Sequence, residues 1–109
     1  MTIDPEVPEV DVAGLAAAIA GGAPVFDVRQ PDEYAEAHAP GAVLIPLATV
    51  PDHVDTFRAD GPVYIICQSG GRSMRASEFL RSQGVDAINV AGGTKAWLAA
   101  GQPFESGAN

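Results

Sequence analysis

Along the chain, short runs of consecutive apolar residues alternate with stretches in which apolar residues recur every three or four positions, so strands and helices are expected to alternate. Pro24 to Val28, Val43-Leu44-Ile45, Val63 to Ile66 and Ala87 to Val90 are runs of the first kind and predict strands. Asp11 is suited to cap a helix from about Val12 to Ala20, which Gly21-Gly22 would close. Pro31 fits the first position of a second helix, with Asp32 and Glu33 near its positive end, and Ala39-Pro40-Gly41 breaks it. A short helical stretch is expected over about Pro51 to Phe57. A longer helix is expected from about Arg72 to Gln83, with Ala76, Phe79 and Leu80 at helical spacing and Gly84 as its stop. Gly61-Pro62 and Gly92-Gly93 mark turns, and a closing helix over Thr94 to Ala100 buries Trp97. This alternation predicts an α/β fold of three layers, a mainly parallel central sheet with helices on both faces.

With 109 residues, 47% of them hydrophobic, the chain has the size of one ordinary domain with one core. We expect a single domain over residues 1–109 with its core at about 10–101, and loose termini at 1–9 and 102–109. A net charge of −8 disfavours nucleic acid and anionic membranes as partners. The amino terminus lacks the basic start and apolar run of a secretory signal, and no apolar span of about 18 residues follows. The expectation is a cytoplasmic protein, where a lone thiol stays reduced. One cysteine excludes an intramolecular disulfide, and two scattered histidines add no ligand cluster, so no zinc or iron–sulfur metal site is expected. Any second thiol must come from another molecule.

That cysteine carries the most specific chemistry of the chain. Val63 to Ile66 deliver Cys67 to the small-residue loop Gln68-Ser69-Gly70-Gly71-Arg72-Ser73, which reads as strand, tight loop and helix. Ligands of open α/β sheets bind at that edge. A free thiol titrates near 8.5, and lowering it by about two units requires roughly 2.7 kcal/mol of preference for the anion. A helix N-terminus supplies roughly 0.3 to 1 kcal/mol, up to about 2 when partly buried, so direct hydrogen bonds must make up the difference. Backbone N–H groups from Gln68 through Ser73 could converge on the sulfur, with Gly70 and Gly71 permitting positive φ. Arg72 adds a cation suited to an oxyanion, and Ser69 and Ser73 add hydroxyls. The loop alone also allows a plainer reading, a buried cysteine at a strand end beside an ordinary turn. Of the nearby Arg72, Arg75 and Arg81, the last is expected to solubilise a helix face.

In this setting the chain resembles the rhodanese family of sulfurtransferases, in particular its single-domain members. The resemblance rests on Phe26-Asp27-Val28-Arg29, Glu33-Tyr34, His38-Ala39-Pro40-Gly41-Ala42, Cys67 to Ser73, and Gly92-Gly93 with Ala96-Trp97, over roughly residues 10 to 101. It implies a rhodanese-like fold in which Cys67 is the catalytic nucleophile. Cys67 would take a sulfane sulfur from a donor such as thiosulfate or a persulfide, and a cyanide or thiol acceptor, or a protein, would then remove it. The substrate-binding residues would be Gln68, Ser69, Gly70, Gly71, Arg72 and Ser73, with Arg72 binding the donor anion or stabilising the loop. No cofactor is implied. Four residues separate Cys67 from Arg72, whereas related phosphatases and arsenate reductases carry five, so hydrolysis or arsenate reduction is the weaker alternative. A second alternative is a non-catalytic or relay module that docks a partner protein. The usual Gly-His-Ile-Pro-Gly-Ala run reads Ala37-His38-Ala39-Pro40-Gly41-Ala42 here, and Leu44 stands where asparagine is common. The uncharged Gln68 and Ser69 point to a donor other than thiosulfate or to slow turnover with it.

Several other residues invite functional readings. Asp27 and Arg29 are expected to tie strand to helix, with Arg29 pairing to Glu33. His38 is expected to fix a turn, His53 to be exposed, and Trp97 to lie in the core.

Overall fold

The computed structural model of the protein describes residues 4–108. Five parallel strands form one sheet in the order β1-β5-β4-β2-β3: β1 is Glu9–Val10, β2 Val25–Asp27, β3 Val43–Leu44, β4 Val63–Ile66 and β5 Ala87–Val90. Three α-helices connect strands, α1 Val12–Ala20, α2 Pro31–Glu36 and α3 Gly71–Ser82, and a fourth, α4 Gly93–Ala99, follows β5. A 3₁₀ segment, Leu47–Phe57, follows β3. The expected α/β fold with a parallel sheet between helical layers is therefore present.

Strand alternation divides the apolar residues between two faces. On one, Phe26, Ile65, Val63 and Cys67 pack with Ala76 and Leu80 of α3 and with Phe57 of the 3₁₀ segment. On the other, Val25, Ile66 and Val90 pack with Leu15 of α1, Tyr34 of α2 and Trp97 of α4. Trp97 is buried and its Nε1–H donates to Pro103 O at 2.7 Å. Local chemistry sets the helix starts. Asp11 Oδ1 accepts the Gly14 N–H at 2.8 Å, and Glu33 Oε1 accepts the Gln30 N–H at 3.0 Å ahead of Pro31.

The termini depart from expectation. β1 is a strand that the sequence pattern does not announce, because two residues carry no periodicity; Asn89 N–H donates to Pro8 O at 2.9 Å and Ala91 N–H to Val10 O at 2.8 Å. Upstream, Asp4 O accepts from Arg81 Nε at 2.6 Å. At the other end, Glu105 exchanges both backbone hydrogen bonds with His38 at 2.8 Å, and Gly107 N–H donates to Ala35 O at 2.7 Å. The segments read as loose are thus hydrogen-bonded to the body at both ends; Met1 to Ile3 and Asn109, also part of that reading, lie outside the described residues. Arg81 is a second correction. It is buried rather than solubilising, and it pairs with Asp86 at 2.9 Å and donates to Ala87 O at 2.9 Å. Among the described residues no helix is long and apolar enough to cross a membrane.

Candidate active site

Cys67 follows β4 directly, and alternation turns it with Val63 and Ile65 toward α3. The residue is only 1% exposed. Gln68 and Ser69 run outward, and Gly70, at φ 112° and ψ −15°, reverses the chain into α3. That reversal brings the Gly70 N–H to 3.1 Å and the Ser73 hydroxyl to 3.2 Å from the sulfur. Burial alone would push the Cys67 thiol up. The Ser73 hydroxyl and the backbone amides of Ser73, Gly70 and Ser69 outweigh it and hold the thiol below its ordinary value.

The loop's other residues are engaged differently. Gly71, expected to share the positive φ, instead opens α3 in ordinary helical conformation, since one left-handed residue suffices for the reversal. The Gln68 carboxamide oxygen accepts from Arg29 Nη1 at 3.2 Å. Arg72 donates from Nη1 and Nη2, each at 2.8 Å, to the two Glu33 oxygens, a forked pair that ties the start of α3 to α2. It holds the Glu33 carboxyl well down, at about 2. The expected Arg29–Glu33 pair is accordingly absent. Arg29 is buried against its own strand neighbour, with Nε 3.0 Å and Nη2 2.9 Å from the Asp27 carboxylate, and Nη2 also donates to Ala37 O at 2.7 Å. Arg29 therefore joins β2, α2 and the loop. His38 Nδ1 lies 2.7 Å from Tyr34 O and the two rings stack at 3.6 Å, a turn-holding arrangement away from the sulfur. His53 is exposed.

Sequence reading missed what supports the loop from beneath. The start of α4 packs against it, with Thr94 N–H donating to Cys67 O at 2.8 Å and Lys95 N–H to Gln68 O at 3.0 Å. Gly93, at φ 60°, allows this approach, since a Cβ there would lie 2.5 Å from Cys67 O. The Gly92-Gly93 pair was the available signal. Asn89 of β5 was not foreseen either; its amide oxygen is 2.5 Å from the Ser73 hydroxyl. A cleft of about 330 Å³ opens beside the loop between α2 and α4, lined in part by Glu33, Glu36, Gln68, Thr94 and Leu98. Among the described residues no group of three or more His, Cys, Asp or Glu side chains is arranged to hold a metal ion.

Comparison with known proteins gives this architecture its family. The model of the Rhodanese-like domain matches residues 11–100. The chain belongs to the rhodanese-like family. Among its curated relatives, YtwF of Bacillus subtilis, named as a candidate sulfurtransferase, is 36% identical over 94 residues, covering 84% of this chain and 91% of that one. A sulfurtransferase of Allochromatium vinosum is 34% identical over 101 residues, 90% of this chain and 94% of the relative. Among solved structures, a rhodanese-like domain protein from Staphylococcus aureus superposes with a TM-score of 0.82 at 33% identity, covering 92% of this chain and 98% of that one. The rhodanese-like match thus spans β2 to β5 and the whole Cys67 loop.

Proposed function

We propose that this rhodanese-like protein is a sulfurtransferase that carries a sulfane sulfur on Cys67. The observation that carries the reading is the sulfur at the end of β4, held below its ordinary thiol value by Gly70 N–H and the Ser73 hydroxyl. In the first half-reaction the Cys67 thiolate attacks the outer sulfur of the donor, and the donor's S–S bond breaks. With thiosulfate, sulfite leaves with that electron pair and Cys67 becomes a persulfide. In the second, a thiolate or cyanide attacks the terminal sulfur and the Cys67 S–S bond breaks. The products are an acceptor persulfide or thiocyanate and the regenerated thiolate, so the cycle closes without a cofactor. The backbone donors of the loop from Gln68 to Ser73 are the groups available to hold the terminal sulfur. A reducing compartment such as the cytoplasm suits a carrier with one thiol.

The Arg72–Glu33 pair favours a particular donor. With its guanidinium forked onto a carboxylate, Arg72 offers no unpaired charge to an anion, and the neighbouring cleft has Glu36 on its wall beside an Arg29 that is itself paired with Asp27. This supports a persulfide borne on another thiol, small or protein-held, over thiosulfate, and so favours the relay form of the activity. The same pairing turns Arg72 away from a tetrahedral oxyanion at the sulfur and speaks against phosphatase chemistry. The test is to incubate the protein separately with an alkyl persulfide and with thiosulfate, remove excess donor and record the intact mass. A one-sulfur adduct on the native protein, absent from Cys67→Ser and forming faster from the persulfide, is expected. No adduct, or an equal one on Cys67→Ser, refutes the carrier role.

A further inference from the structure

The Ser73 hydroxyl has one proton and three acceptors within reach: Asn89 Oδ1 at 2.5 Å, Cys67 Sγ at 3.2 Å and Gly70 O at 3.3 Å. Ser73 and Asn89 are both buried, so water does not share in the choice. Asn89 stands in register with Glu9 across the β1–β5 pair, and its Nδ2 donates to Glu9 Oε2 at 2.7 Å and to Gly70 O at 3.4 Å. An ionised carboxylate only accepts. Glu9 therefore orients the amide, nitrogen outward and oxygen toward Ser73, because the flipped amide would set oxygen against carboxylate. In this orientation the shortest bond draws the Ser73 proton to Asn89. While it is there, the sulfur faces the lone pairs of the Ser73 oxygen.

We propose that Asn89, oriented by Glu9, is a positioning residue that competes with the Cys67 sulfur for the Ser73 proton and so sets the balance between attack and departure at that sulfur. The inference rests on Cys67 being the sulfur carrier. A carrier's sulfur attacks in one half-reaction and leaves in the other. A more basic thiolate attacks faster, whereas a thiol of lower pKa leaves faster. A hydroxyl that turns from Asn89 to the sulfur as negative charge grows there serves both steps, and a permanent donor would favour only the second. The charged groups around this region are Arg72, locked to Glu33; Asp27 and Arg29, locked to each other; the exposed Arg75 of α3 and Lys95 of α4; and Glu9, whose influence runs through Asn89. None of the first four hydrogen-bonds to Ser73 or Asn89.

The experiment titrates the thiolate by its ultraviolet absorbance in the native protein, Asn89→Leu, Ser73→Ala and the double variant, with no sulfur donor present. Asn89→Leu leaves the sulfur as the stronger remaining acceptor and should lower the Cys67 pKa by about one unit, tenfold in the thiol–thiolate ratio. With the thiol fully ionised, the same variant should attack a small disulfide about threefold more slowly, since nucleophilicity falls with pKa. In the Ser73→Ala background Asn89→Leu should produce no shift. A pKa that rises or stays in Asn89→Leu, or falls equally in both backgrounds, overturns the proposal. Glu9→Gln alters an exposed side chain and decides the matter if Asn89→Leu fails to fold. It should lower the pKa more with Ser73 present than without it, and equal shifts in the two backgrounds overturn the proposal as well. Persulfide loading takes no part in these titrations, so failure here and failure of the carrier role are separately readable.

Discussion

Two adjacent glycines in the loop have unequal duties. Gly70 holds φ at 112°, a region costing an L-residue of order 1–3 kcal/mol, and its N–H is one of the two closest donors to the sulfur. Gly71 is helical, and an added Cβ there meets nothing within 4 Å. Gly70→Ala should therefore lower the thermal midpoint by several degrees and raise the Cys67 thiol pKa, while Gly71→Ala should leave both near native values. Thermal melts and thiolate titration of the two variants check this, and equal damage at both positions would contradict the assigned geometry. At this scale the sequence shows which residues make up the Cys67 loop and conceals where they point. Gly70 and Gly71 are chemically identical, so only the reversal into α3 separates them.

An ion pair that crosses between elements helps hold together the structure around the sulfur. Arg72 at the start of α3 grips Glu33 in the first turn of α2, and Glu33 also accepts the Gln30 N–H. The hydrogen bond from Arg72 is the main reason the Glu33 carboxyl lies at about 2 rather than the ordinary 4.5. A carboxyl lowered in the folded state takes up its proton first in the unfolded chain. Its contribution is thus complete above pH 4.5 and drains away as the pH falls toward 2. Urea midpoints measured from pH 6 to pH 2.5 should fall more steeply for the native protein than for Glu33→Gln, the two curves converging at low pH. Parallel curves would show that the pair adds nothing. The sequence placed Glu33 correctly at a helix start but assigned its partner to Arg29, four residues away. Asp27 lies closer to Arg29 along the strand end, and Arg72, distant in sequence, arrives only when β4 pairs beside β2.

Over the whole molecule, charge opposes small anions. The net charge is −8, and the loop's own arginine is neutralised by its partner, which leaves the exposed Arg75 and Lys95 as the nearest counterweights to the global field. Repulsion between exposed charges is screened within about 10 Å at 0.1 M salt and about 3 Å at 1 M. Persulfide loading from thiosulfate should therefore speed up severalfold between low and high ionic strength, while loading from an uncharged alkyl persulfide stays level. Stopped-flow loading rates over a salt series read this directly. A rate from thiosulfate that falls with salt would reveal an unpaired cation at the mouth of the site.

Hydrophobic alternation, caps and turn residues determined the parallel α/β architecture from the chain itself, because each is written in neighbouring positions. Four of the five strands, all the helices and the Cys67 loop are local in this sense. What the tertiary structure alone decided are contacts between distant positions: Glu9 with Asn89, Glu33 with Arg72, Thr94 with Cys67. Each requires two strands or helices to meet before its energy is realised. Spacing in sequence carries no trace of such meetings, and these contacts surround the sulfur.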